Sequence, residues 1–348
     1  MKKAELLKAL AMVMPGVGEK STLLEGANSF MLDGDWVKTF NDEISVSFPF
    51  PVGVKCMVKA QEFFKIVSRI DSEDIRMVIL DDGRLQLSGG KTTLKMVSSD
   101  PKGILALVDN LSLSSVDWVK LPADFKKALN VCSGFAATNS ARIGLYGVSV
   151  GRDGLTASDG VKAGFYSMEI PSLESPFIIP TGSVRELLKF GDVSEFALGD
   201  SWIHFKSTEG VTFSARKVGA EFPRERIRDL INFDNAEKKV YSFPPDLVQS
   251  VLTASVMSCS TDSGVEYVDI SLDKKGNLIV SGAKSFGEVK DKILPDKSWD
   301  FPEGVIFKIN PANLAAMFSL GREFYIKEKK YMLMKVGDFE SILALSIG

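Results

Sequence analysis

The groups in this chain that could do chemistry are few, and each sits where a structural role explains it. Gly89-Gly90-Lys91-Thr92 carries the Gly-Lys-Thr ending of a phosphate-binding loop, a motif that works by wrapping backbone amides around phosphates. The motif also needs a glycine five positions before the Gly-Lys pair, and Leu85 stands there. The segment lies between two alternating apolar runs, so a hairpin turn is expected in its place. His204 is the only histidine and falls inside the alternating run Trp202-Ile203-His204-Phe205. A histidine-based nucleophile relay or zinc site has no second member to draw on, and a satisfied strand histidine is expected. The acids Asp81-Asp82 and Asp71, Glu73 and Asp74 fall in turn-like stretches, where solvated carboxylates are the ordinary outcome. Asp159 precedes Gly160, and Asp-Gly is a turn signal before it is a metal site. Cys56, Cys132 and Cys259 are odd in number and far apart, which fits reduced core thiols and neither a disulfide framework nor a zinc site. No catalytic residue, metal or cofactor is expected, and the chain does not read as an enzyme. A nuclease or phosphatase would need a metal cluster that this sequence does not present.

The elements that position these residues repeat three times. Glu5–Leu10 begins a helix-like segment that returns at Leu121–Leu129 and again at Phe243–Leu252. After each comes a set of alternating strands, then a second short helix at Val58–Val67, Ile179–Leu188 and Ile309–Met317, then more strands. Matching hairpins close the units: 85–87 with 93–97, 202–205 with 211–215, and 323–326 with 331–336. A structural idea used in series is the first thing such self-similarity implies. The 348 residues then divide into three α+β domains of roughly 110–125 residues, each able to bury its own core. The expected boundaries are 1–115, 116–238 and 239–348. The joins near Val116–Val119 and Asn235–Lys239 are polar or strand-like and not Gly/Ser linkers, so rigid docking of the units is expected.

An apolar fraction of 45% and a charged fraction of 25% are ordinary for a soluble globular protein. No window supplies the ~18 apolar residues of a membrane span, and Glu5, Lys8 and Pro15 interrupt any signal-peptide core. A cytoplasmic protein is expected, with no membrane partner. The net charge of −3 does not by itself favour nucleic acid. Its distribution does, because the helices of the first two units carry Lys2, Lys3, Lys8, Lys65, Arg69, Lys126, Lys127, Arg185 and Lys189 opposite their apolar faces. A common surface lined by these helices would attract phosphates without reading bases. The third unit departs from this pattern, because Asp246, Gln249, Ala315 and Ala316 leave its helices nearly uncharged.

Three stretches of the second unit resemble the bacterial DNA polymerase sliding clamp (beta subunit) family. Gly154–Ala163 is similar to its Ala-Thr-Asp-Gly-His-Arg-Leu segment, and Phe177–Pro180 with Val184–Leu188 is similar to its second helix. Phe213–Arg224 is similar to a strand ending in Gly-x-Phe-Pro-Asp-Tyr. The order and spacing of these stretches carry the resemblance through all three units. It implies three clamp-type domains, each with two helices packed on antiparallel sheets. Two subunits would join head to tail into a ring around duplex DNA, and the ring would tether the replicative polymerase for processivity. The implied partners are non-sequence-specific double-stranded DNA, a second copy of the chain, and the polymerase and clamp loader through short linear peptides. Activity near the nucleoid during replication follows, and the divergence suits a phage-encoded system.

Carried over by position, the resemblance implies a partner-peptide pocket at Leu145, Ser158, Gly160, Val161, Lys162, Ala163, Pro180, Val184, Leu343, Leu345 and Ile347. It implies DNA contacts at Lys20, Arg69, Asn139 and Arg142, joined by the helix lysines Lys8, Lys65, Lys126 and Lys127. It sets Leu94 and Met96 of one subunit against Val256 and Met257 of the next. Val161-Lys162-Ala163 stands where the family has His-Arg-Leu, and the last residues lack its Met-Pro-Met-Arg-Leu, so an altered peptide preference is expected. A peptide-binding hub of the same fold that does not encircle DNA is the alternative.

Overall fold

The computed structural model describes residues 1–19, 24–111, 113, 115–137, 142–233, 236, 239–257, 259–260, 266–304 and 306–345. Among them the first repeat contains α1 (Lys3–Val13), β1 (Ser29–Asp33), β2 (Trp36–Phe40), β3 (Ile44–Pro49), β4 (Lys55–Lys59) and α2 (Ala60–Arg69). It continues with β5 (Arg76–Ile79), β6 (Leu85–Gly89), β7 (Thr92–Met96) and α3 (Lys102–Asp109). The second contains β8 (Val119–Lys120), α4 (Phe125–Ser133), β9 (Val148–Gly151), β10 (Gly154–Ser158), β11 (Lys162–Ser167), β12 (Phe177–Ile179) and α5 (Thr181–Leu187). Next come β13 (Val193–Leu198), β14 (Trp202–Ser207), β15 (Thr212–Arg216) and α6 (Arg224–Ile231). The third contains β16 (Tyr241–Ser242), α7 (Leu247–Ser255), β17 (Cys259–Ser260), β18 (Glu266–Leu272), β19 (Leu278–Lys284) and β20 (Gly287–Ile293). Finally come β21 (Phe307–Ile309), α8 (Pro311–Phe318), β22 (Glu323–Lys327), β23 (Tyr331–Val336) and β24 (Phe339–Ala344).

Both expected helices of every repeat are present, and so are the three hairpins. Gly89-Gly90-Lys91-Thr92 is the turn between β6 and β7, with Gly90 at φ 55°, a left-handed conformation that glycine adopts without a Cβ penalty. Burial alternates along β6 as the period of two requires. On α2 the apolar Ala60, Phe63 and Val67 are buried while Lys65 and Arg69 stay in water, the amphipathic stripe of a helix lying on a sheet. α8 starts where Asn310 Oδ1 accepts from the amides of Ala312 and Asn313, with Pro311 at the first helical position. Those contacts satisfy two donors that the helix end would otherwise leave open.

The compact units do not follow the repeats. One unit comprises Met1–Asn130 and Glu169–Ala220, the other Val131–Met168 and Glu221–Gly348. In the first unit an antiparallel sheet runs β4-β1-β2-β3-β15-β14-β13-β8. Strand β3 of the first repeat there pairs with β15 of the second, Ser47 opposite Thr212 and Ser45 opposite Ser214. The second unit contains the same construction one repeat later, in the order β9-β10-β11-β24-β23-β22-β16. There β11 pairs with β24, Lys162 opposite Leu343 and Phe165 opposite Glu340. Each repeat thus lends an edge strand to its neighbour, which hides an edge that would otherwise present unpaired amides. The sheets β5-β6-β7 and β17-β18-β19-β20 end in β7 and β20.

Two helices outside the six expected ones pack on these sheets. α3 buries Ile104, Leu105 and Val108 against Met31, Phe40 and Met57. α6 buries Ile227 and Ile231 against Ala163, Phe165, Leu333 and Ile342. Cys56 and Cys132 are buried free thiols, and burial pushes them up to about 11 and about 12 respectively. The side chain of Cys259 lies outside the described set.

His204 has no exposed surface, and its Nδ1 lies 2.8 Å from Ser214 Oγ on the neighbouring strand. Ser214 is equally buried, so this histidine–serine pair has no path to a substrate. The expected satisfied histidine is satisfied on one side only, because Nε2 has no partner among the described residues. Burial, with Lys217 nearby, lowers its pKa to about 4. The unfolded chain therefore binds a proton between about pH 6.5 and 4 that the native state refuses, so stability falls as pH drops through that window. The His204 contribution lost by pH 4 is roughly 3 kcal/mol. Urea titrations at pH 7 and pH 4.5 should show this component in the wild type and its absence in His204→Gln. Equal pH sensitivity in both would refute it.

Candidate nucleic-acid and partner-binding surfaces

In the first unit α1 and α2 pack on each other, and their exposed cations are not equivalent. Lys3 donates to the Ile70 carbonyl at 2.6 Å, where the end of α2 leaves unpaired acceptors. Lys8 is held by Glu209 at 2.9 Å. Lys65 and Arg69 are exposed and have no ion pair among the described residues. On α4, Lys126 donates to the carbonyls of Phe190 and Gly191, while Lys127 is exposed and unpaired among the described residues. Of the sequence-expected DNA-contact residues, Lys65, Arg69 and Lys127 are therefore exposed and outside any ion pair among the described residues. Lys8 and Lys126 are engaged inside the unit, a distinction that helix position alone did not reveal. Arg142 is exposed, in the second unit, and Lys20 and Asn139 lie outside the described residues. α7 and α8 pack on each other with no charged side chain on either.

The residues assigned to a partner-peptide pocket fall in both units. In the second, the turn between β10 and β11 is built by Asp159, whose Oδ1 accepts from the amides of Val161 and Lys162. Gly160 takes φ 93° within it. Asp159 is thus a turn residue, as its place before glycine implied. Ser158 Oγ donates to the Lys162 carbonyl at 2.9 Å and accepts from the Gly160 amide at 3.1 Å. The Val161 carbonyl accepts from the Ala344 amide at 2.9 Å, which brings β24 and Leu345 beside this turn. Leu145, Leu343 and Leu345 are buried, while Val161 is half exposed. Lys162 and Ala163 occupy opposite faces of β11. Ala163 belongs to the cluster beneath α6, whereas the Lys162 ammonium lies 5.5 Å from the centre of the Phe135 ring and 4.0 Å from Asp159. Burial lowers the Lys162 pKa, with Asp159 opposing the shift. In the first unit, Pro180 immediately precedes α5 and Val184 is fully buried. Ile347 lies outside the described residues.

The residues expected at a subunit contact lie near strand edges. Leu94 and Met96 are half-buried on β7, which pairs only with β6 among the described residues. Val256 is 68% exposed and Met257 partly buried after α7. β20 likewise pairs only with β19 among the described residues and is preceded by Phe286, 75% exposed.

The sequence reading missed a polar clasp in the second unit. Arg224 at the start of α6 donates to the Ser149 carbonyl, the Gly154 carbonyl and Asp153, and Arg228 one turn later reaches the same carboxylate. Its available signal was Pro223 ahead of arginines four apart, with Ile227 and Ile231 at helical spacing. Among the described residues no group of three or more His, Cys, Asp or Glu is placed to hold a metal ion. No helix among them is long and apolar enough to cross a membrane.

No protein-family model matches the sequence, and no curated protein sequence does. Solved structures do match. A sliding clamp from Bartonella birtlesii bound to griselimycin aligns at TM-score 0.80 and 17% identity, covering 99% of this chain and 98% of that one. The DNA polymerase sliding clamp from Bacillus subtilis aligns at TM-score 0.79 and 15% identity, again over 99% and 98%. The beta chain of DNA polymerase III from Streptococcus pneumoniae aligns at TM-score 0.79 and 17% identity over the same shares. With nearly the whole of both chains superposed, this chain has the fold of the bacterial DNA polymerase sliding clamps.

Proposed function

We propose that the protein is a DNA sliding clamp, a non-catalytic ring that encircles duplex DNA and holds a polymerase to it. The observation that carries this reading is the clamp fold over 99% of the chain. The exposed, unpaired Lys65, Arg69 and Lys127 support it, since sliding needs phosphate contacts that carry no sequence information. In this reading each chain supplies three domains, 1–115, 116–238 and 239–348, and two chains close the ring head to tail. The edges of β7 and β20 that pair with no strand among the described residues, with Leu94, Met96, Val256 and Met257 beside them, would form the joint. Leu145, Ser158, Lys162, Leu343 and Leu345 of the second unit would take short peptides of the polymerase and loader.

Light scattering over a concentration series should give twice the 38.0 kDa chain mass. After loading, the protein should remain on nicked circular DNA through gel filtration and leave once that DNA is cut at one site. Equal retention on circular and linear DNA would show binding without encirclement and sink the proposal.

A further inference from the structure

The register of the first unit's sheet places four side chains in one row across four strands. Lys38 on β2 is opposite Ser47 on β3, Ser47 opposite Thr212 on β15, and Thr212 opposite Lys206 on β14. Three strand spacings make this row about 14 Å wide. The row forms the floor of a groove of 480 Å³. Trp36 and Trp118 stand among its walls, together with Val108 and Asp109 at the end of α3. Two hydroxyls therefore sit between two lysines, with flat aromatic surface beside them.

The two hydroxyls of this floor are not used up by the fold. Neither the Ser47 nor the Thr212 hydroxyl has a hydrogen-bond partner among the described residues. Lys38 contacts Asp33 at 3.0 Å, but Lys55 contacts the same carboxylate at 3.0 Å, so the trio keeps one net positive charge. The Lys206 ammonium is in no ion pair among the described residues, although Glu195 on β13 stands opposite it in register, and it lies 5.4 Å from the centre of the Trp118 ring. The matching row of the second unit runs Thr156, Phe165, Glu340 and Lys335. There Glu340 and Lys335 already pair at 2.7 Å, so of these two rows the first-unit one alone keeps a lysine, Lys206, outside any ion pair among the described residues.

We propose that this groove docks a short peptide segment in which one carboxylate lies beside an aromatic side chain. The carboxylate would accept from the floor hydroxyls and a lysine, contacts that are stronger for a charged acceptor. The aromatic ring would pack on the tryptophans. A polynucleotide fits less well, because a strand of phosphates needs a continuing basic track. Here Asp109 stands in the wall, and Asp35 and Asp117 each adjoin a groove residue in sequence. That acidic border tolerates a single carboxylate held at the centre and repels a polyanion.

The test is fluorine NMR of the full chain labelled with 5-fluorotryptophan, whose four tryptophans are Trp36, Trp118, Trp202 and Trp299. The probe is acetyl-Gly-Phe-Glu-Phe-Gly-amide, with its Gln isostere and a thymidine decamer as comparisons. The Trp36 and Trp118 signals should move saturably with the Glu peptide, and the Gln isostere should bind at least tenfold more weakly. Lys206→Glu and the milder Lys206→Gln should each weaken the Glu peptide at least tenfold while the Trp299 signal stays in place. Signals that do not move at millimolar peptide, or that respond equally to both peptides, would overturn the proposal. A response to the decamer and not to the peptide would overturn it in favour of single-stranded nucleic acid.

Discussion

Glutamate at Lys65, Arg69 and Lys127 together is expected to abolish retention on circular DNA while leaving the fold intact. These side chains are exposed and none has an ion pair among the described residues, so reversing them breaks no internal contact. Each phosphate contact releases condensed counterions and contributes about 0.9 to the slope of log K against log salt. Losing three contacts should make the slope shallower by about 3. Because reversal adds repulsion to the loss, affinity for duplex DNA in low salt should fall by at least about 100-fold. Lys8→Glu, by contrast, first disrupts the contact with Glu209, an exposed pair worth ~1 kcal/mol or less. Fluorescence anisotropy with a labelled duplex at several salt concentrations measures both quantities. An unchanged slope in the triple variant would mean that the duplex does not meet this surface.

Phe243→Ala should be the most damaging single truncation in the second unit. Phe243 has no exposed surface, stacks on Phe324 at 4.3 Å between ring centres, and lies 6.3 Å from the rings of both Phe301 and Phe318. Removing a buried phenyl ring costs about 3–5 kcal/mol, combining lost transfer energy with an unfilled cavity. Part of that is specific to the stack, where an aromatic pair contributes ~1 kcal/mol beyond its area. Hydrogen exchange of the β22 amides reads the local consequence, since opening free energy sets their protection. A loss of about 4 kcal/mol corresponds to exchange roughly a thousandfold faster. Less than a tenfold change would show that the neighbouring rings close the gap, and that this cluster is not the unit's keystone.

The three-fold repeat, the six repeated helices and the closing hairpins were all legible in the sequence. They rest on local periodicity: apolar residues at helical spacing such as Phe63 and Val67, and strict alternation such as Leu85-Gln86-Leu87. The roles of Asp159 and of Gly89-Gly90 were legible for the same reason, because turn chemistry acts over three or four residues. α3 and α6 were less visible because each is about two turns long. In α6 charged residues outnumber the two buried isoleucines, leaving little apolar stripe to detect.

What only the tertiary structure decided is which distant residues share a sheet and which charges remain free. The pairing of β3 with β15 joins segments more than 160 residues apart in the chain, and no local pattern specifies that partner. From it follow the two compact units that cut across the repeats, and the row running from Lys38 to Lys206. The engagement of Lys8 by Glu209 and of Lys126 by the Phe190 and Gly191 carbonyls is likewise non-local. The sequence by itself determined the elements, because helix and strand periodicity are written in neighbouring residues. The usable charge of the surface was decided by folding, because an ammonium is spent or spared according to what the chain brings within about 3 Å of it.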